Sequence, residues 1–474
     1  MKNLTLLLMF ISFVGCAVNP VTGTQDFVLI TENEEIAMGR EYNAQILKKN
    51  SIYQDKELQD YVQSIGDSLA SKSHRPNLVY RFTILDSSDI NAFALPGGYI
   101  FINRGLMSYL STEEELAAVL AHEIGHVTAR HSVRQYSQSQ LMSILSTAIE
   151  INAGSTAGNI ANLASGALLS GYGREMELEA DELGAQYISE DGYSPQGMYK
   201  VLSVLKDQEI YSKEIAKQRG QGPSSYHGIF ASHPSNDKRL QEVIDSVSIS
   251  LLKGKSKKKD IYLSKIDGMV FGDSEQSGIR RGNEFYHGPL NFYISSPETW
   301  EIINTPNQLI FSSPYSQAVL QMTLEDLNFK ETPKDYLRRF VSNTFEEEEL
   351  KINSLNGYTA IIKRSGRLSR IAVIFKGDKV YRFIGSLEDR ESDINQYDSR
   401  FLRIINSFRE LTKEEQDLSK PLRIKTYLVK NGDSYESLAK DSSININAED
   451  QLRLMNGDYP DKKLKIGRMI KIVN

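Results

Sequence analysis

Apolar residues first recur at a helical spacing. Thr31 to about Lys49 and Asp55 to about Lys72 read as amphipathic helices. The first opens on Thr31-x-x-Glu34, a capping box that satisfies free amides of the first turn, and the second carries Leu58, Tyr61, Val62, Ile65 and Leu69 on one stripe. From Tyr80 the pattern turns to strands, Tyr80 to Leu85, Asn91 to Gly98 and Tyr99 to Ile102, which predict a small sheet. Ser111-x-x-Glu114 caps a further helix, whose stripe of Leu116, Val119, Leu120 and Val127 runs to about His131. Residues 132–172 are rich in Ser, Ala, Gly and Leu, with no charge between Ile151 and Tyr172. They read either as a lid over a groove or as plain helical core. Helices from Gly173 to about Asp191 and, after Tyr193-Ser194-Pro195, to about Lys217 follow.

Lys253 to Lys259 holds five lysines and reads as an exposed linker. Short strands dominate between about Asp260 and Lys413, with helices near Pro333–Asn343 and Asp393–Phe408. This texture, with Pro297-x-x-Trp300, resembles a PsbP-type sandwich. After Pro421, Tyr427 to Ala439 and Leu464 to Ile472 bracket a helical segment ending at Asn456-Gly457, and the βααβ order with the Gly432-Asp433 turn resembles a LysM module. The expected fold is α+β and multidomain. A signal peptide at 1–15 precedes a mostly helical domain with a small sheet at 16–255, the sandwich at 260–413 and the small module at 422–474.

The 474 residues suit roughly three domains. A net charge of −6 lacks the basic excess that a phosphate backbone requires, which argues against nucleic acid as a partner. Cys16 is the only cysteine, so metal or acid–base chemistry must come from seven histidines and the carboxylates. Lys2 and the apolar run from Leu4 to Val14 have the form of a signal peptide and are too short to span a bilayer. Phe13-Val14-Gly15-Cys16 resembles a bacterial lipobox with Phe13 in place of leucine. That resemblance implies lipidation of Cys16, and Ala17 after it implies the periplasmic face of the outer membrane. Ordinary secretory cleavage beside an incidental cysteine is the other reading.

The chemistry centres on His122-Glu123-Ile124-Gly125-His126. In a helix the two histidines fall within about 40° of each other, so that their imidazoles can share one ion with Glu123 beside it. Catalytic zinc takes three protein ligands and keeps a position for water, so a further donor must come from elsewhere. Gly173 to Asp181, with too many acids for a core helix, is the candidate. Glu175 and Glu179 lie about 160° away from Glu177 along such a helix.

With these two motifs the chain resembles the CAAX-prenyl-protease/HtpX type of gluzincin metallopeptidase, in its soluble periplasmic BepA-like branch. The resemblance implies one zinc per chain held by His122, His126 and Glu177, the last within Arg174-x-x-Glu177-x-x-Ala180-Asp181. It makes Glu123 the general base, and Asp181 the carboxylate that orients His122. Asn91-Ala92-Phe93-Ala94 matches the family's edge strand, on which a peptide pairs by its backbone, although a plain edge guarded by Pro96 has the same form. Ser232-His233-Pro234 with Arg239 is similar to a further family element. His233 then either stabilises the oxyanion or caps the fourth zinc position, and Arg239 orients the site; helix-start packing is the competing role. His131, His74, His227 and His287 have no partner spacing and read as surface or structural histidines. The expected function is a zinc metalloendopeptidase acting on proteins of the cell envelope. The alternative is an envelope chaperone or peptidoglycan-tethered assembly factor with a latent or structural zinc site.

Overall fold

The computed structural model describes residues 16–140, 172–218, 233, 261–327, 330–341, 343–364, 366–388 and 394–474. The expected signal peptide, most of the uncharged stretch, the lysine-rich linker, His227 and Arg239 lie outside the described residues.

A hairpin of β1 (Cys16–Val18) and β2 (Gln25–Phe27) precedes α1 (Glu32–Lys49) and α2 (Lys56–Ala70). Thr31 and Glu34 form their capping box on α1, the Thr31 amide donating to the Glu34 carboxylate at 2.7 Å. α2 is capped by Asp55 and buries Leu58, Val62, Ile65 and Leu69. The strands β3 (Arg81–Leu85), β4 (Ala92–Leu95) and β5 (Tyr99–Asn103) form a sheet in the order β3-β5-β4. β5 runs parallel to β3 and antiparallel to β4, which is left at an edge. The turn from β4 to β5 requires Gly97 at a φ of 74°.

α3 (Arg104–Tyr109) leads into α4 (Glu113–Thr128), which is buried at nearly every position and forms the axis of this half of the molecule. Its N-cap is Thr112, one residue later than the sequence suggested, and the reciprocal bond of a capping box is replaced by one to Ser111. Thr112 accepts from the Glu115 amide at 3.3 Å, and the buried Glu115, not Glu114, accepts from the Ser111 amide at 2.6 Å. α4 stops at Thr128. Arg130 adopts a φ of 55°, and helical structure resumes over 131–140. α5 (Arg174–Glu190) and α6 (Gln196–Gln218) pack beside α4. At Gly125 an added Cβ would stand 2.9 Å from the Ala180 carbonyl oxygen, so the glycine within the HExxH run lets α5 approach closely.

After α7 (Tyr262–Lys265) and β6 (Val270–Phe271) comes a three-stranded sheet of β7 (Ile279–Arg281), β8 (Glu284–His287) and β9 (Phe292–Ser295). The next strands are β10 (Glu301–Thr305), β11 (Gln308–Ser312), β12 (Ala318–Asp326), β13 (Thr344–Ile352), β14 (Leu355–Arg364), β15 (Arg367–Lys376) and β16 (Lys379–Leu387). They build one antiparallel sheet in the order β10-β11-β12-β16-β15-β14-β13. α8 (Pro333–Phe340) packs over Tyr358, Ile371 and Val373, and α9 (Asn395–Asn406) packs on the other face over Trp300, Phe311 and Phe383. The layers are helix, sheet, helix.

α10 (Glu415–Leu418) precedes a terminal βααβ unit of β17 (Leu422–Leu428), α11 (Tyr435–Lys440), α12 (Ala448–Met455) and β18 (Met469–Val473). β17 pairs with β18 on one side and with β6 on the other. The segment 261–271, expected to open the sandwich, thus joins the two ends of the chain. Tyr262, Ile266 and Met269 share one apolar core with Leu106, Leu116 and Leu120 and with Leu452, Met455 and Val473.

Candidate active site

His122 and His126 stand one turn apart on α4, with their Nε2 atoms 3.0 Å from each other. Glu177 reaches them from α5, with Oε2 3.6 Å from His122 Nε2 and Oε1 3.5 Å from His126 Nε2. His233 closes the group. Its Nδ1 lies 2.9 Å from Glu177 Oε1 and 3.3 Å from His122 Nε2, and its Nε2 lies 3.4 Å from Glu123 Oε1. One atom from each of His122, His126, Glu177 and His233 falls within 4.8 Å of the others, and all four residues are buried.

This donor set fits a divalent cation. Asp181 Oδ1 lies 2.9 Å from His122 Nδ1, off the straight line of the ring N–H, and a carboxylate there favours the proton on Nδ1. That leaves the Nε2 lone pair facing a second imidazole nitrogen and a carboxylate, a set of donor atoms that a cation between them would take up. Two imidazoles and one carboxylate match the donors of catalytic zinc. Glu175 is exposed at the start of α5 and takes no part.

Three neighbours escaped sequence reasoning. His131, read there as a histidine without a partner, is fully buried, with Nδ1 2.8 Å from His126 Nδ1 and Nε2 3.0 Å from Glu179 Oε2. Glu179 turns away from the histidine pair but also accepts from Arg134 at 2.9 Å. The His131 and Arg134 hydrogen bonds pull its carboxyl down to about 2, and burial lowers the His131 imidazole from its ordinary value. Tyr172 stacks on His126 at 4.0 Å between ring centres and shares a 2.6 Å hydrogen bond with Ser132. Burial raises its phenol.

Arg130, in its left-handed conformation, is held by Glu35 at 2.8 Å. Glu35 also accepts from Arg75 at 2.7 Å and from the Gly97 amide at 3.4 Å, so one buried carboxylate ties the end of α4 to the turn that follows β4. On β4, Ala92, Phe93 and Ala94 pair with Ile102, Phe101 and Ile100, while the Asn91 carbonyl accepts the Asn103 amide. No strand lies along the outer side of β4 among the described residues. Of the remaining histidines, His74 lies 2.7 Å from the Tyr187 hydroxyl and His287 sits against Phe285 and Phe292. In the terminal unit, Asp433 accepts from the Tyr427 hydroxyl and Asn456 bonds the backbone of β18.

Residues 56–246 match the model of Peptidase family M48. The chain is 31% identical over 235 residues to the beta-barrel assembly-enhancing protease of Yersinia pestis, covering 47% of this chain and 46% of that protein. It is 29% identical over 258 residues to the protein of the same name from Escherichia coli K12, covering 52% and 50%. The mitochondrial metalloendopeptidase OMA1 of Saccharomyces cerevisiae is 31% identical over 153 residues, 32% of this chain and 42% of that one. The chain thus spans about half the length of the curated relatives it matches. A solved cyanobacterial PsbP from Synechocystis covers 28% of this chain and 95% of its own, at 13% identity and a TM-score of 0.23. No helix among the described residues is long and apolar enough to cross a membrane.

Proposed function

We propose that this chain, whose residues 56–246 match the model of Peptidase family M48, is a zinc metalloendopeptidase that hydrolyses peptide bonds of cell-envelope proteins. The observation that carries the reading is the convergence of His122, His126 and Glu177 with Glu123 on the same buried wall. When bound there, zinc supplies Lewis acidity toward water and toward a peptide carbonyl. Glu123 takes a proton from the attacking water and delivers it to the leaving amine. Asn91, Ala92, Phe93 and Ala94 align the substrate backbone along the open side of β4. His233 would either cap the fourth position of a bound ion at rest or stabilise the oxyanion, and Arg239 would orient the site. Lipid on Cys16 holds the enzyme at the periplasmic face of the outer membrane. The naming of the bacterial relatives for β-barrel assembly suggests outer-membrane protein quality control as its setting.

A chaperone or peptidoglycan tether with a structural zinc site is the competing reading. Glu123 argues against it, since a structural site has no use for a carboxylate beside the position left for water. Zinc content and casein cleavage, with and without a chelator, decide between them. Tight zinc with no chelator-sensitive cleavage would favour the structural site.

A further inference from the structure

We infer that His131 and Glu179 form a relay that orients His126, with His131 as a positioning residue between the ion-binding histidine and its carboxylate. The inference rests on the reading of His126 as a zinc ligand.

A ligating histidine usually donates its other N–H to a carboxylate or carbonyl, which fixes its tautomer and ring angle. Asp181 stands in that place for His122. For His126 the place is taken by a second imidazole, His131, 2.8 Å away. Neutral imidazole has one donor and one acceptor nitrogen, so the chain of contacts allows one consistent assignment. His126 must keep Nε2 bare for the ion and therefore carries its proton on Nδ1. That N–H donates to His131 Nδ1, which must then be bare, and His131 carries its proton on Nε2. His131 Nε2–H donates to Glu179 Oε2 at 3.0 Å. The carboxylate's charge is thereby felt at the ion through two rings.

The backbone is built to hold this arrangement. In an unbroken helix positions 126 and 131 would point about 140° apart. The left-handed turn at Arg130, anchored on Glu35, folds His131 back beneath His126. Arg134 fixes Glu179 from the following helical turn. α5 consequently supplies a ligand and two orienting carboxylates, Glu177, Asp181 and Glu179, from five consecutive residues.

The test measures zinc affinity of the full chain by competition with a chromophoric chelator, together with histidine tautomers by nitrogen NMR of the zinc-loaded protein. His131→Ala is expected to weaken zinc binding by ~10–100-fold. Glu179→Gln, at a part-exposed position that tolerates the change even if His131→Ala misfolds, is expected to weaken it less. Adding Glu179→Gln to His131→Ala should bring no further loss, because the carboxylate acts through the ring. His131 should appear as the Nε2–H tautomer. Wild-type affinity in both variants while Glu177→Ala loses zinc, or an Nδ1–H tautomer at His131, overturns the relay alone. A wild-type chain that binds no zinc overturns the metalloenzyme reading itself.

Discussion

At Glu123 and Glu177, two carboxylates of the same site differ in what they face. Glu123 has an oxygen 3.4 Å from His233 Nε2, outside the pair of α4 histidines, whereas Glu177 points between their Nε2 atoms. Glu123→Gln should therefore keep zinc and fold while hydrolysis falls by roughly 10²–10⁴-fold, checked by metal content and cleavage rate on one preparation. Glu177→Ala should lose zinc by far more than Glu175→Ala, whose side chain is exposed on the first turn; equal metal content in the two would place the third ligand elsewhere. The helical period puts His122 beside His126 and Asp181 one turn from Glu177, but it was the resemblance, not the period, that singled out Glu177 and Glu123 for these roles. The period also hid His131 and Glu179. A spacing of five residues pairs nothing on a straight helix, and only the break at Arg130 creates the contact. Tyr172 had no signal, since it follows a long stretch without pattern.

Among the elements, helices with a single apolar stripe, such as α2, stood out in the sequence, whereas β6 is too short to read and the parallel pairing of β3 with β5 is a non-local fact. The hairpin of β8 and β9 carries a pH dependence that no pattern announces. His287 is packed against Phe285 and Phe292, its Nδ1 accepts the Leu290 amide at 3.3 Å, and burial pushes its imidazole down to about 4. The unfolded chain takes up that proton near pH 6.5 and the folded domain does not until about pH 4. The unfolded state therefore binds more protons between those values, and stability present above pH 6.5 is lost as the pH falls through this window. The loss should be on the order of 3 kcal/mol. Thermal unfolding of wild type and His287→Gln across pH 7 to 4 checks it: the variant's curve should be flatter, and parallel curves would assign the acid sensitivity to other groups.

On the scale of the whole molecule, the terminal unit is part of the fold that holds the active-site helix. Lys471 of β18 is fully buried, and its Nζ donates to the Ser108 and Leu110 carbonyls at the end of α3. Glu115, in the first turn of α4, supplies an opposing charge nearby, and burial still lowers the lysine below its ordinary value. Further out, Tyr109 donates to Gln451 at 2.9 Å and Tyr459 to Glu214 of α6 at 2.9 Å. A module attached only to reach cell-wall glycan has no need of a buried cation lodged beside the HExxH helix. Lys471→Met keeps the volume and removes the charge, leaving the Ser108 and Leu110 carbonyls without this donor and Glu115 without a nearby positive charge. A buried acceptor left without its donor typically costs ~1–3 kcal/mol. We expect Lys471→Met to lower the thermal midpoint of the entire first half, zinc retention included, and Glu115→Gln added to Lys471→Met to restore part of the loss. Calorimetry with a parallel zinc-release assay reads both quantities. If Lys471→Met unfolds the terminal unit alone and leaves zinc release at the wild-type rate, the unit is an independent appendage and its contact with α4 has no bearing on the site.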